Sequence, residues 1–189
     1  MNDKIFKNLG ASNHKKEGIR EQDDFYTTDP NAVIELLKRE KLEGEIWEPA
    51  CGNGVISKIL EENGYRVYST DKFDRGYGSI LDFLISIKQV DTIITNPPYK
   101  LAEKFILKAL SSVKDKGKVI MLLKLLFLEG QKKYVTIFKD NPPKVIYIFS
   151  YRTNCYINDI RDKTGGAVCY AWYVWEKGYK GEPIIKWII

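Results

Sequence analysis

Asp91-Thr92-Ile93-Ile94-Thr95-Asn96-Pro97-Pro98-Tyr99 is an apolar run without alternation that ends in two prolines. Such a run suits a strand covered on both faces, as in a parallel sheet. The prolines stop the ladder at once, because each lacks an N–H and fixes φ. Asn96, which precedes Pro97, is held in extended rather than helical angles. The exit therefore presents the Asn96 amide and the Pro97 carbonyl at the carboxyl end of a buried strand, where open α/β sheets bind their ligands. Asn141-Pro142-Pro143 is similar in composition but precedes a strand, and reads as a plain loop.

Outward from this strand, short apolar segments alternate with helical ones. Strands are predicted at 45–48, 66–70, 91–95, 118–123, 144–149 and 167–175, with a further short one ending in Leu81-Asp82-Phe83. Helices are predicted at 31–41, 54–63, 101–113 and 128–139, the first capped by Asp29 with Pro30 in its opening turn. Alternation of this kind gives βαβ units and a mostly parallel, twisted α/β sheet of about seven strands with helices on both faces. Segments 144–149 and 167–175 have no helix-length pattern between them and are expected to form an antiparallel hairpin at the sheet edge. The chain then runs about a dozen residues beyond its last expected strand.

The first strand exit reads Glu48-Pro49-Ala50-Cys51-Gly52-Asn53-Gly54 and leads into a helix. Small residues there let the backbone approach a ligand closely, and Gly52 and Gly54 serve that need. The spacing is neither G-x-G-x-x-G nor a phosphate-binding P-loop. The second strand ends at Asp71, about 20 residues on, where an acid can accept both hydroxyls of a ribose; Lys72 follows it. Asp82 either caps the next turn or, beside Phe83, receives an adenine amino group while the ring is stacked.

At the exit of the 91–95 strand, the Asn96 oxygen and the Pro97 carbonyl can accept both hydrogens of a planar NH2 group, drawing its lone pair out of conjugation. Pro98 stiffens the exit, and Tyr99 offers a flat face to a base. No tuned general base is required, since the nitrogen keeps its proton until it has reacted. The single histidine, His14, lies in the polar arm away from every strand end.

These segments resemble those of the Rossmann-like, class I S-adenosylmethionine-dependent amino-methyltransferases, in particular small phage-type DNA adenine-N6 methyltransferases. The matching residues are Glu48 to Gly54, Asn96-Pro97-Pro98-Tyr99, the upstream Phe25-Tyr26-Thr27-Thr28-Asp29-Pro30 and the tryptophan-rich Tyr170-Ala171-Trp172-Tyr173-Val174-Trp175. The resemblance implies S-adenosyl-L-methionine as cofactor. Its methionine end would be flanked by Tyr26, Thr27 and Thr28 and held on the 48–54 turn, its ribose by Asp71 and its adenine by Asp82 and Phe83. It implies methyl transfer to N6 of adenine in DNA by direct in-line attack. Protein glutamine-N5 and RNA adenine-N6 methyltransferases share the tetrapeptide and are the alternative. A non-catalytic nucleic-acid-binding protein with this fold is disfavoured by the intact Asn96 and glycine turn.

The chain has 189 residues, 44% hydrophobic and 29% charged, which suits one domain with a substantial core. Residues 1–24 are expected to be a polar, mobile arm, and 25–189 a catalytic domain without a separate target-recognition domain. Segment 151–166, with Arg152, Arg161 and Lys163, is either a recognition hairpin or a solvated basic loop. Lys100, Lys104, Lys132 and Lys133 can meet phosphates, the last two equally forming a helix's wet face. Phe83, Phe105, Trp172 and Trp175 read as core more than as stacking groups. A duplex target would have to be flipped, so a homodimer or helper protein is an expected source of recognition. A net charge of +5 permits a nucleic-acid partner without demanding one. No apolar run reaches the roughly 20 residues that span a bilayer. Three widely spaced cysteines, Cys51, Cys155 and Cys169, argue against a disulfide framework or metal cluster. Together these fit a cytoplasmic protein.

Overall fold

The computed structural model describes residues 26–153 and 168–189. The arm at 1–24 lies outside them, as do Arg161, Lys163 and most of the expected recognition hairpin. The strands are β1 (Ile46–Glu48), β2 (Val67–Asp71), β3 (Ser79–Ile80), β4 (Val90–Thr95), β5 (Val113–Lys124), β6 (Val145–Phe149), β7 (Tyr170–Glu176) and β8 (Ile184–Ile188). They form one sheet in the order β3-β2-β1-β4-β5-β7-β6-β8. The β5–β7 and β6–β7 pairs are antiparallel and all others parallel, so β7 alone runs against the rest. The helices are α1 (Pro30–Leu37), α2 (Val55–Glu62), α3 (Ala102–Ser112) and the short α4 (Gln131–Lys133), which continues as a π-helical turn, Tyr134–Phe138.

Two differences from the sequence reading concern the last third of the sheet. The 144–149 and 170–176 segments do pair antiparallel, but β7 slots between β5 and β6 and the edge belongs to an eighth strand, β8. That strand was hidden because Ile184, Ile185 and Trp187 stay exposed and only Ile188 is buried, so neither alternation nor a buried run marks it. The helix expected at 128–139 is one α-helical turn followed by the π-helical turn.

Alternation along β5, β6 and β7 divides the core between the two faces. Ile120, Leu122, Tyr147, Trp172 and Val174 pack with Val33 and Leu36 of α1 and Ile56 and Leu60 of α2. Val119, Met121, Ile146, Tyr173 and Trp175 pack on the opposite face with Phe105, Ile106 and Ala109 of α3. Trp172 and Trp175 are thus core residues on opposite faces. Each fully buried indole finds a hydrogen-bond acceptor, Trp47 on Thr70 Oγ1 (2.9 Å), Trp172 on the Ala32 carbonyl (2.8 Å) and Trp175 on the Asn141 carbonyl (3.1 Å), as a buried N–H requires. Replacing Trp172 by alanine removes the side chain that ties α1 to the sheet. The expected loss is about 3–5 kcal/mol, measured as a fall in the denaturant midpoint with little change in slope.

Candidate active site

The carboxyl ends of β1, β2 and β4 and the exit of β3 open on one cavity of about 310 Å³, in the size range of small-molecule sites. It is lined by Tyr26, Thr27, Thr28, Glu48, Pro49, Ala50, Cys51, Asp71, Lys72, Asp82, Phe83, Asn96, Pro98 and Lys100 from the sequence reading. Asn53, Val55, Phe73, Arg75, Leu101 and Phe105 join them without having been singled out as cofactor contacts. Gly52, Gly54, Pro97 and Tyr99 stand beside the cavity rather than in its lining, and Arg152 belongs to a second, smaller one with Thr153 and Tyr170.

The glycine turn is held from three sides. Gly54 has φ +84°, and a Cβ on it would lie 2.4 Å from carbons of the Tyr77 ring; glycine alone fits there. Gly52 N–H donates to Asp71 Oδ2 at 3.0 Å. Glu48, 1% exposed, reaches from the end of β1 to the start of α2, where its Oε2 accepts from Ser57 N–H at 2.8 Å and from the Ser57 hydroxyl. It thereby satisfies one of the orphan donors at that helix terminus. Burial pushes its carboxyl up to about 8, against the pull of the Ser57 hydrogen bonds. Cys51, also buried, has its thiol pushed up to about 12 by burial, which keeps it neutral.

An unfolded glutamate ionises near about 4.3, so the folded state holds a proton that the unfolded state has released. Stability from this group is complete below about 4.3 and is lost as pH rises towards about 8. Glu48→Gln cannot ionise. Its stability relative to wild type is expected to rise between about pH 5 and 8, measured by denaturant titration at several pH values; a constant difference would contradict the shift.

Asp71 is 8% exposed. Besides Gly52 it accepts from Phe73 N–H at 3.0 Å through Oδ1, and Arg75 Nε lies 3.8 Å from that oxygen. Each carboxylate oxygen offers about two acceptor positions, so the cavity side of Asp71 can still take hydroxyl donors. Asp82 takes the first of the two roles the sequence left open: Oδ1 caps the turn by accepting from Leu84 N–H at 3.0 Å, while Oδ2 pairs with Lys72 Nζ at 3.0 Å. Phe83, 1% exposed, is core and cavity wall at once, edge-on to Trp47 at 5.0 Å and 5.0 Å from Phe105.

The upstream segment reaches across to the tetrapeptide. Asn96 Nδ2 donates to the Tyr26 carbonyl at 3.2 Å and to Thr28 Oγ1 at 3.1 Å. With both N–H bonds directed to these two acceptors, the amide is fixed in one orientation and its oxygen faces the other way. Asn53 Nδ2 donates to Thr27 Oγ1 at 3.4 Å, so the same segment also touches the glycine turn. Asp29 caps α1 through Asn31 N–H (3.0 Å) and accepts from the Thr153 hydroxyl at 3.4 Å. The Tyr99 ring lies 5.2 Å from that of Tyr26 and 5.9 Å from that of Tyr170, with Lys124 Nζ 4.8 Å from its centroid. Neither Tyr170 as a neighbour of Tyr99 nor Lys124 was picked out in the sequence.

No family model matches the chain, and no curated protein is similar to it in sequence. Solved structures are similar in shape. A protein of Pyrococcus horikoshii, provisionally assigned as an RNA methyltransferase, superposes with a TM-score of 0.64 at 16% identity, over 85% of this chain and 90% of that one. A provisionally assigned class I S-adenosylmethionine-dependent methyltransferase of Listeria monocytogenes gives 0.58 at 16% identity, over 92% and 68%. The modification subunit of a provisionally assigned type I restriction enzyme from Vibrio vulnificus gives 0.59 at 13% identity, over 89% of this chain and 48% of that one. The mostly parallel sheet covered by helices matches these structures: the chain has the Rossmann-like α/β fold of the class I methyltransferases.

Proposed function

We propose that the chain is an S-adenosylmethionine-dependent methyltransferase acting on N6 of adenine in nucleic acid, with DNA the first candidate. The observation that carries this reading is the orientation of Asn96, whose amide N–H bonds are used by Tyr26 and Thr28 so that its oxygen serves as an acceptor. A buried-strand exit followed by Pro97-Pro98 holds that acceptor still. The donor set suits the cofactor: a close backbone approach at Gly52 and Gly54, Asp71 for ribose hydroxyls, Asp82 and the Phe83 wall for adenine, and Tyr26, Thr27, Thr28 and Glu48 around the methionine end.

When bound, the cofactor supplies an electrophilic methyl group on a sulfonium. The chain's own residues prepare the nucleophile. The Asn96 oxygen and the Pro97 carbonyl accept the two amine hydrogens, which draws the lone pair out of the ring. Tyr99 supports the base by stacking. The nitrogen would take the methyl as the sulfonium C–S bond breaks to leave a neutral thioether, and its surplus proton would then pass to water. Catalysis is thus by positioning and by hydrogen bonds that strengthen as the amine becomes cationic.

RNA is the second reading, favoured by the likeness to the Pyrococcus protein. Residues 25–189 act in this account as one catalytic unit, with target choice supplied by segment 151–166, a second copy or a helper. The reading is tested with two single-stranded oligonucleotides matched in length, one containing adenine and one with every adenine replaced by cytosine. Labelled methyl is expected only in the first. Equal label in both would move the target to another amine, such as N4 of cytosine.

A further inference from the structure

Lys124 is the last residue of β5 and stands opposite Tyr170 in the β5–β7 register. Ile120 and Leu122, two and four residues earlier, point to the α1–α2 face, and alternation puts Lys124 on that same face. Tyr99 packs there too, and the Lys124 ammonium lies 4.8 Å from the Tyr99 ring centroid. Among the described residues no carboxylate pairs with Lys124. Other lysines at strand ends differ: Lys118, at the opposite end of the same buried stretch, pairs with Glu40 at 2.9 Å, and Lys144, just before β6, with Glu176 at 2.6 Å.

A half-buried ammonium over an aromatic ring, with no carboxylate pairing it among the described residues, is weakly held. It also lies over the ring on which the proposed function stacks the substrate base. A phosphate is the natural partner for a point charge in that position. We propose that Lys124 is a positioning residue for a nucleic-acid substrate: it takes the phosphodiester next to the base delivered onto Tyr99, and rests on the Tyr99 ring otherwise. The proposal rests on the nucleic-acid reading given above and adds to it a residue that ties base placement to the backbone.

The test uses the full chain as wild type, Lys124→Gln, Lys124→Arg and Lys124→Met. Binding to a fluorescein-labelled, adenine-containing single-stranded oligodeoxynucleotide is followed as salt rises from about 50 to about 200 mM, and steady-state methyl transfer is measured on the same probe. On a single strand, loss of one phosphate contact lowers the salt slope by about 0.7, so affinity of Lys124→Gln should fall about threefold less than that of wild type over this range. KM should rise more than kcat falls. Arginine should restore both; methionine, which can pack on the ring without charge, should not. An RNA probe of the same sequence should show the same change in slope. Wild-type slope and KM in Lys124→Gln, or rescue by methionine as good as by arginine, would make Lys124 a mere support for Tyr99 and overturn the proposal. If wild type methylates the probe, such a result sinks Lys124 alone; if wild type neither binds nor methylates any nucleic acid, the parent reading falls with it.

Discussion

Asn96→Ala is expected to reduce methyl transfer by about two to three orders of magnitude, the usual effect of deleting one preorganised hydrogen-bonding group at a reacting atom. The loss should appear in kcat and in kcat/KM alike, because the acceptor matters most once the amine becomes cationic. Cofactor affinity should change by less than about tenfold, since the glycine turn, Asp71 and Asp82 are untouched. Some weakening is expected, because the alanine leaves the Tyr26 carbonyl and Thr28 Oγ1 without the donor that Asn96 supplies. Asn96→Asp separates the two roles. It retains an acceptor and removes both donors, so the side chain is no longer locked by Tyr26 and Thr28. It should be as inactive as the alanine variant. An aspartate variant with near-normal kcat would show that orientation by the upstream segment is unimportant.

Asp71→Ala is expected to weaken cofactor binding by about a hundredfold or more. Hydrogen bonds to a charged acceptor contribute about 1.5–3 kcal/mol each, and a ribose would use two. The substitution also leaves the buried Gly52 N–H without the carboxylate it now meets at 3.0 Å, which loosens the turn. Asp71→Asn distinguishes these contributions. Its amide oxygen can still accept from Gly52 or from a hydroxyl, so it should fall between wild type and alanine. Calorimetric titration with S-adenosylmethionine measures both variants. Wild-type affinity in Asp71→Ala would remove that residue from the ribose role.

Much of this was legible because strand ends announce themselves. The unalternated run before Asn96, the two prolines and the Gly52–Gly54 turn each follow from local chemistry, and each lies where it was read. What stayed hidden depends on register or on partners distant in sequence. Lys124 falls just beyond the strand expected at 118–123 and carries no signal of its own until the pairing with β7 sets it opposite Tyr170 and over Tyr99. Arg75 joins the cavity only because the loop after β2 folds back on Asp71. Glu48 carries a capping role that no spacing rule reveals, since its partner Ser57 is reached through space from β1. β8 escaped because an edge strand with most of its side chains exposed has no burial period to read.

Methyl transfer to an adenine amine in nucleic acid is tested by identifying the methylated nucleoside itself. The protein is incubated with methyl-labelled S-adenosylmethionine and, side by side, mixed-sequence double-stranded DNA, single-stranded DNA and RNA, and each product is digested to nucleosides. Label is expected in N6-methyladenine, in at least one DNA sample and at the same position wherever RNA is labelled. Absence of label from all three, with cofactor binding confirmed in the same preparation, would contradict it.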